Sequence, residues 1–352
     1  MNFVDKEAGS VGPASAATAA QKVVNLALQG GGTHGAFGWG VLDRLLEDER
    51  LNFEGITASS AGAVNALMVA SGLASGGYQG ARKALRHFWE RLSADASRGI
   101  FRPSLLDKVN PTHGLEHSPG YLFIEALTYF ASPYQLNPFN INPLKELISE
   151  LVDFDQVRRQ QAVKLFLCAT NVRTAKVKVF KGAELTVNHV LASTCLPLMM
   201  HAVELDGEHY WDGGYAGNPA IFPLVYECES RDILLVHTTP AERPDLPRTS
   251  PAIMNRMQEI SFNTALIREM RSVAFLNRRI EQGKAEGKRM LVHVIEAEDL
   301  TRNFTASSRL NGDWDFLMEL FNQGRERTDK WLKENFDRIG VESTVDLEEK
   351  YF

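Results

Sequence analysis

A strand, a tight glycine turn and a helix follow one another twice near the start of the chain, and this pattern limits the folds it can adopt. The first unit reads KVVNLALQ from Lys22, then GGGTHG, then AFGWGVLDRLLEDE with helical apolar spacing. The second unit has a short strand near residues 54–58, a turn at 59–62 and a helix from 63 to about 72. Two such units in succession predict an α/β fold with a parallel sheet.

Residues 55–81 contain no Asp, Glu, Lys or Arg, although 23% of the chain is charged. A membrane span needs about 20 apolar residues. The continuous apolar part of this stretch covers only residues 66–70, between Asn65 and Ser71, so we do not interpret it as a span. Residues 1–21 carry no apolar core of a signal peptide, and we expect a disordered tail there.

Overall charge and cysteine content exclude several classes of protein. The 352 residues include 38 Lys and Arg against 44 Asp and Glu, a net charge of −6, whereas nucleic-acid binders usually carry a positive excess. The three cysteines form no CxxC pair, so a disulfide framework or a thiolate zinc site is not expected. These features predict a cytoplasmic protein with no nucleic-acid partner.

The rest of the chain divides into three parts. Residues 98–142 are rich in Phe, Tyr, Leu and Pro, and we interpret them as a lid or cap inserted into a core that spans residues 22–240. Residues 241–352 form a helical extension with one strand, which includes an amphipathic helix at 251–282 that packs on the sheet.

The glycine turn after the first strand fits two kinds of site. Gly30, Gly32 and Gly35 satisfy GxGxxG between a strand and a helix, the context of a dinucleotide fingerprint. Backbone N–H groups at such a turn face either a pyrophosphate or an oxyanion that forms during a reaction. A nucleotide site needs an acidic residue at the end of the next strand, where this chain has Ser59 and Ser60. A Rossmann-type oxidoreductase is therefore the weaker alternative.

A nucleophile elbow follows in the second unit. The run Ala58-Ser59-Ser60-Ala61-Gly62 approximates G-x-S-x-G, in which a serine lies on a strained strand-to-helix turn. Small residues two positions before and after are needed because the turn brings their backbones close together. This spacing favours Ser60 over Ser59 as the nucleophile.

A third motif, Asp212-Gly213-Gly214, places a carboxylate at a strand-to-turn junction. With the three motifs in this order, the sequence resembles the patatin-like phospholipase family from about residue 23 to residue 218. The resemblance implies a three-layer fold with a mainly parallel central sheet, helices on both faces and an inserted lid.

The resemblance also implies the site residues and their chemistry. Ser60 would be the nucleophile and Asp212 its partner, in a dyad without histidine that forms an acyl-enzyme. The remaining implied residues are Gly30, Gly31, Gly32 and Ala61 at the oxyanion hole, and Ala58, Gly62, Gly213 and Gly214 as supports. The implied substrate is a lipid or acyl ester, with transient contact to a lipid surface, and no metal or cofactor is implied. For such a substrate, the aromatic residues 101–139 of the cap are expected from their composition to supply the acyl pocket. Two departures from the family pattern are Ala58 at the first elbow glycine and His34 where Arg or Lys is usual.

Other assignments remain open at this point. A Ser-His-Asp triad would use His237 or His293, which follow Asp212 in the chain. The run His113–His117 spells the inverted zinc motif H-x-x-E-H, but Gly114 and the flanking prolines disfavour the helix it needs. Cys168 and Cys195 have no basic neighbour to activate them as nucleophiles. Hydrolysis of a storage polyester or a thioester would use the same Ser60 and Asp212. A non-catalytic relative would be expected to lack one of these two residues.

Overall fold

An eight-stranded, mainly parallel sheet forms the centre of the structure, a computed structural model that describes residues 21–352. The strands are β1 (Lys22–Leu28), β2 (Leu51–Ser59), β3 (Lys164–Asn171), β4 (Val177–Lys181), β5 (Val203–Leu205), β6 (Glu208–Asp212), β7 (Asp232–His237) and β8 (Leu291–Glu296). The order is β5-β6-β3-β2-β1-β7-β8, and β4 also pairs with β3. Strands β3, β2, β1, β7 and β8 are parallel, while β4 and β6 join β3 antiparallel. The predicted parallel α/β sheet is confirmed.

Helices cover both faces of this sheet. In the described residues they are α1 (Gly35–Asp48), α2 (Ala61–Ala96), α3 (Leu105–Val109), α4 (Pro119–Thr128), α5 (Pro133–Leu136), α6 (Pro143–Leu151), α7 (Phe154–Gln160), α8 (Val187–Ser193), α9 (Phe222–Glu227), α10 (Ser250–Glu281), α11 (Glu298–Thr301), α12 (Trp314–Asn335) and α13 (Leu347–Tyr351). One face packs against α1, α2 and α12, and the other against α9, α10 and α13. Alternate residues of each central strand enter the two cores: Leu234 and Val236 of β7 enter the first, and Ile233 and Leu235 the second. The three-layer architecture is therefore confirmed.

The charge-free stretch begins a helical hairpin. Helix α2 starts directly after Ser60 and continues well beyond the predicted end near residue 72, but its backbone is not helical at Gly76 and Gly77. Gly77 has φ +61, in the left-handed region that glycine adopts readily. The second arm then runs back along the first, so that the indole N–H of Trp89 donates to Asn65 Oδ1 at 3.0 Å. Because both arms pack on the sheet and on each other, uncharged small residues fill their contact.

The predicted apolar face of α10 packs along only half of its length. Leu266, Met270 and Val273 are buried in the second core, as predicted. Met257 and Ile260, near the N-terminal end, are 60% and 51% exposed, so the prediction that this whole face packs on the sheet is wrong. Asn263 contacts His237, the last residue of β7, so the part of the helix before Asn263 extends past the end of that strand. Gln258 and Phe262 of this part line the cavity described below.

The cap segment, residues 98–142, contains only short helices. Prolines open both α4 and α5, as the composition indicates. Large apolar side chains of the cap face outward, and Phe130 and Phe139 are 89% and 85% exposed. A search of residues 21–352 for a helix that is long and apolar enough to cross a bilayer found none. Nearly all of the predicted disordered tail, residues 1–21, lies outside the described residues.

Candidate active site

Ser60 lies at a strained turn between β2 and α2. Its backbone has φ 54 and ψ −128, a conformation that is costly for a residue with a side chain. Close packing keeps the turn in this strained conformation, since a Cβ added to Gly62 would come within 2.4 Å of the Leu28 carbonyl oxygen. Ala58 pairs with Leu28 in the adjacent strand and is fully buried, so the sheet accepts its methyl group in place of the usual glycine. The backbone therefore forms the predicted elbow.

The two serines of the turn point to different places. Ser59 Oγ is buried and donates to the carbonyl of Gly217 at 2.5 Å. Ser60 lines a cavity, and its own backbone N–H donates to the carbonyl of Ser193 at 3.1 Å. Only Ser60 could therefore present its hydroxyl to a molecule in that cavity.

Asp212 ends β6 and lies fully buried near Ser60. Its Oδ1 accepts the Gly214 N–H at 2.8 Å, whereas Oδ2 has no hydrogen-bond partner in residues 21–352. The two glycines that follow fit where side chains would not: a Cβ at Gly213 would approach the Cys168 carbonyl oxygen to 2.1 Å, and one at Gly214 the Phe262 ring to 2.7 Å. The D-G-G sequence thus lets the carboxylate reach the interior.

Burial controls the charge state of Asp212. Loss of water raises the pKa of this carboxyl group from 3.8 to about 6, while the nearby Ser60 hydroxyl and the Gly214 N–H oppose the rise. Ser60 is therefore close enough to stabilise the charge, although Oδ2 is not in hydrogen-bond geometry with it. Such bonds are often long in the absence of substrate and tighten in the complex.

The glycine loop after β1 combines bonded and free N–H groups. The Gly30 N–H donates to Asn218 Oδ1 at 2.8 Å, so it is already satisfied. For Gly31, Gly32 and Ala61, no hydrogen-bond partner of the N–H is found in the described part of the chain. These three residues line the same cavity as Ser60. Free N–H groups at this position could donate hydrogen bonds to a negatively charged oxygen. The Gly30 N–H is already bonded and instead holds the loop in place.

His34 anchors the glycine loop to the C-terminal region. Its Nε2 lies 2.7 Å from Ser308 Oγ, and that hydroxyl donates its own proton to the Thr305 carbonyl at 2.7 Å, so the imidazole N–H donates to Ser308 Oγ. Burial and the nearby Arg309 hold the pKa of His34 well below its usual value, which keeps it neutral. Thr33 Oγ1 also donates to the Ser308 carbonyl at 2.7 Å. His34 therefore acts through hydrogen bonding rather than through charge.

The cavity has a volume of about 380 Å³ and mostly apolar walls. Both arms of α2, the loop at 194–199, α10 and residues 306–312 contribute to it. No residue of 101–139 lines it, so the prediction that the cap supplies the acyl pocket is wrong. The cap is rich in aromatic residues, but most of them are exposed to solvent, and composition alone does not reveal which way a side chain faces. The sequence analysis missed Phe262, Arg309 and Leu310, which lie in no motif and reach the site only through tertiary folding.

The alternative catalytic groups have other partners. His237 Nε2 lies 3.2 Å from Asn263 Oδ1 and its Nδ1 lies 2.9 Å from Glu298, whereas His293 pairs with Asp232 at 2.9 Å. Neither histidine lines the cavity. This geometry gives no support to a triad.

The remaining sequence candidates also have structural contacts. The H-x-x-E-H run is not helical, and His113 lies 3.4 Å from Glu319 while His117 lies 3.1 Å from Asp107. The two imidazoles therefore do not share one helix face. Burial raises the pKa of the Cys168 thiol to about 11 and that of Cys195 to about 12, which opposes a nucleophilic thiolate.

Comparison with known proteins identifies the class to which this fold and site belong. The family model described as patatin-like phospholipase matches residues 26–225, more than half of the chain. The chain therefore belongs to the patatin-like phospholipase family. A comparison with curated proteins found no match.

Several solved structures are also similar to the chain. VipD from Legionella pneumophila is 14% identical, with 86% of this chain and 67% of VipD covered and a TM-score of 0.36. ExoU, in its complex with SpcU from the type III secretion system of Pseudomonas aeruginosa, is 13% identical, with 92% of this chain covered and a TM-score of 0.38. The match covers 53% of the ExoU chain, so this chain spans about half of that protein's length.

Proposed function

We propose that the protein hydrolyses lipid carboxylic esters through a Ser60–Asp212 dyad and an acyl-enzyme. The observation that carries this proposal is the pairing of a cavity-lining Ser60 with a buried Asp212 whose Oδ2 has no partner in the described residues. An unsatisfied carboxylate oxygen and a strained serine both destabilise the fold. Such an oxygen is, however, suited to accept a proton from the serine.

The reaction follows from these positions. Ser60 Oγ attacks the ester carbonyl carbon as its proton passes to Asp212 Oδ2, and the free N–H groups of Gly31, Gly32 and Ala61 stabilise the oxyanion. The carbonyl then re-forms, the alcohol leaves with the proton from Asp212, and the acyl group stays on Ser60. Asp212 next takes a proton from water, whose oxygen attacks the acyl carbon. Collapse releases the carboxylic acid and returns the proton to Ser60.

The raised pKa of Asp212 supports its role as the base. A carboxylate with an ordinary pKa near 4 is a poor base for a hydroxyl group. With a pKa of about 6, Asp212 holds a proton more strongly and is still mainly ionised at neutral pH. Burial therefore increases basicity without removing the charge that the first step needs.

The apolar walls of the cavity support a substrate with an acyl chain. Val64, Leu196 and Phe262 are among the side chains that would contact such a chain. Cleavage of an acyl thioester or a storage polyester would use the same dyad, and a profile of substrates distinguishes these from a lipid ester.

We also propose that the cap contacts a lipid surface. The cap carries exposed Phe130 and Phe139, and it packs on the loop that helps to form the cavity, because the rings of Tyr134 and His201 lie in contact with their centroids 4.2 Å apart. Loop residues Leu196 and Met199 line the cavity itself. Apolar side chains next to a lipid-binding cavity favour adsorption to lipid over water. The three buried free thiols support a reducing compartment, which we propose is the cytoplasm.

Labelling with a fluorophosphonate tests the dyad. We expect the reagent to modify Ser60, and we expect Ser60→Ala and Asp212→Ala to lower hydrolysis of a short-chain p-nitrophenyl ester about a thousandfold or more. Ser97→Ala removes an exposed hydroxyl group and serves as the control. Full activity of Ser60→Ala would overturn the proposal, and loss of labelling in His237→Ala or His293→Ala, with the fold intact, would indicate a triad instead.

A further inference from the structure

The carboxylate of Glu269, on α10, binds the chain shortly after the D-G-G motif. Its Oε2 accepts the backbone N–H of Ile221 at 2.5 Å and that of Phe222 at 2.9 Å. Both N–H groups lie at the start of α9, where a helix has no acceptor of its own and Ile221 provides no side-chain cap. Glu269 therefore caps α9 from another helix. It also joins α10 to residues 212–222, which we call the support segment.

The support segment holds several parts of the candidate site. It begins with the carboxylate of Asp212, and the carbonyl of Gly217 accepts the Ser59 hydroxyl at 2.5 Å. Asn218 Oδ1 accepts the Gly30 N–H at 2.8 Å. The proposed base, the residue before the nucleophile and the glycine loop are thus all attached to one short stretch of backbone.

Glu269 bonds the C-terminal end of the support segment. Ile221 is fully buried there, so without the carboxylate its N–H would lack a partner unless the backbone moved. Movement at this end would displace the Gly217 and Asn218 acceptors, which lie three and four residues earlier. A misplacement of about 1 Å at a reacting group can lower the rate on the order of 100-fold. The bond to Glu269 can therefore affect the reaction from outside the cavity.

Glu269 changes its charge near neutral pH. Burial raises the pKa of its carboxyl group to about 7, and the N–H groups of Ile221 and Phe222 oppose the rise. In the described part of the chain this carboxylate forms no ion pair, and the titratable group that faces it is the Cys168 thiol. Burial raises the pKa of that thiol to about 11, so it stays neutral. An ionised carboxylate accepts stronger hydrogen bonds than a neutral acid does, so the cap is strongest above pH 7.

We propose that Glu269 is a positioning residue for the hydrolysis, and that its carboxylate holds the support segment in the geometry that Ser60 and Asp212 need. This inference rests on the proposed function, because it concerns the reaction of that dyad. Glu269 does not line the cavity, so it is not placed to touch the substrate or to take part in the proton transfers. It acts through the backbone of the support segment.

Glu269→Gln removes the charge and keeps an oxygen that can accept both N–H groups, so the variant should fold. At pH 8, where wild-type Glu269 is mostly ionised, we expect kcat for a dissolved p-nitrophenyl ester to fall about tenfold, the difference between a charge-assisted and a neutral hydrogen bond. KM should stay within about twofold, because the cavity wall is unchanged. At pH 6, where most wild-type Glu269 is protonated, kcat of the two proteins should differ by less than about twofold.

Two further variants separate positioning from general stability. Glu269→Ala removes the acceptor and should lower kcat at least about tenfold at both pH values. Glu281→Gln removes an exposed carboxylate from the same helix and should keep the wild-type kcat. Protonation of Asp212 lowers the activity of every variant at pH 6 and cancels in the ratio to wild type. Full activity of Glu269→Gln at pH 8, or an equal loss at both pH values, would overturn the positioning role and leave the dyad standing.

Hydrogen exchange covers the case in which the ester is not cleaved. In Ser60→Ala protein at pH 8, Glu269→Gln should speed exchange of the Ile221 and Gly30 N–H groups about tenfold, because both are bonded through the support segment. Exchange in β8, which has no contact with this segment in the sheet, should not change. Faster exchange at Gly30 without ester cleavage by the wild type would contradict the proposed function alone. Unchanged exchange at Gly30 would overturn the positioning role.

Discussion

The elbow around Ser60 is tightly packed, whereas the cap at residues 98–142 leaves large apolar side chains exposed. At the elbow the backbones touch, and even one added carbon at Gly62 would collide with the Leu28 carbonyl group. In the cap, Phe130 and Phe139 contribute large apolar surfaces that the described core does not cover. The proposed chemistry therefore depends on a region without spare space, whereas the cap retains apolar surface for contacts outside the described chain.

Gly62→Ala tests the tightness of the elbow and should have the largest effect. Glycine to alanine in a helix normally stabilises it by about 1 kcal/mol. Here the new methyl group must displace the turn, and a shift of about 1 Å at Ser60 would lower kcat/KM on the order of 100-fold. Gly182→Ala is the control, since its added Cβ would meet only ordinary contacts at 3.6 Å. An active and more stable Gly62→Ala protein would contradict the tight-elbow description.

Asp212→Asn should show how much the buried carboxylate lowers the free energy of unfolding. Because its folded pKa of about 6 exceeds the unfolded value near 3.8, the charged form destabilises the native state above about pH 6 and has no effect below about pH 4. At about 1.4 kcal/mol per pKa unit, the Asn variant should be more stable by up to about 3 kcal/mol at pH 8.

Urea unfolding at pH 4 and pH 8 measures this difference. The exposed Asp206→Asn should change stability by less than about 0.5 kcal/mol at either pH. If the stability advantage of Asp212→Asn over the wild type were the same at both pH values, the buried carboxylate would not destabilise the fold. The contrast between the elbow and the cap would then be weaker.

Replacement of Phe130 and Phe139 by Ser should have the smallest effect on stability. Both side chains are almost fully exposed, so we expect the free energy of unfolding and the hydrolysis of a dissolved ester to stay nearly unchanged. Hydrolysis of the same ester in lipid vesicles should fall at least tenfold, because even one phenyl ring that enters lipid contributes about 1.5–3 kcal/mol.

Phe275→Ser removes an aromatic ring that is 65% exposed on α10 and provides the control. Equal vesicle activity in the cap variant and this control would mean that the cap does not contact lipid. A large loss of stability in the cap variant would show that its rings pack in the fold after all.

The same contrast explains what sequence could and could not predict. The strands, the parallel sheet and the elbow follow local rules, because β-branched runs, glycine turns and spacing are written in neighbouring residues. The return arm of α2 was not predicted, since the two glycines at 76 and 77 gave no sign of where the chain would pack afterwards. Leu310 and Phe262 join the cavity from segments that lie far away in the sequence. Such contacts depend on tertiary packing, which no local pattern specifies.

The hydrogen bond between Gly30 and Asn218 shows a similar limit. The glycine motif predicted a loop whose backbone N–H groups face a site, but the motif alone could not tell that the Gly30 N–H is already bonded. The exposed half of α10 is a further case, because an apolar helical face indicates burial in general and does not reveal where the sheet ends.

The contact between the glycine loop and residues 306–310 limits how the chain could be divided into parts that are transferred separately. The family match ends at residue 225. The Arg309 backbone nevertheless lies against Gly32, and Ser308 accepts hydrogen bonds from Thr33 and His34. A graft of residues 26–225 alone into another protein would carry Ser60, Asp212 and most of the cavity wall, but it would lack the wall segments at 258–262 and 306–312. In an engineering sense, those two segments could be redesigned to change the shape of the cavity while residues 26–225 are kept.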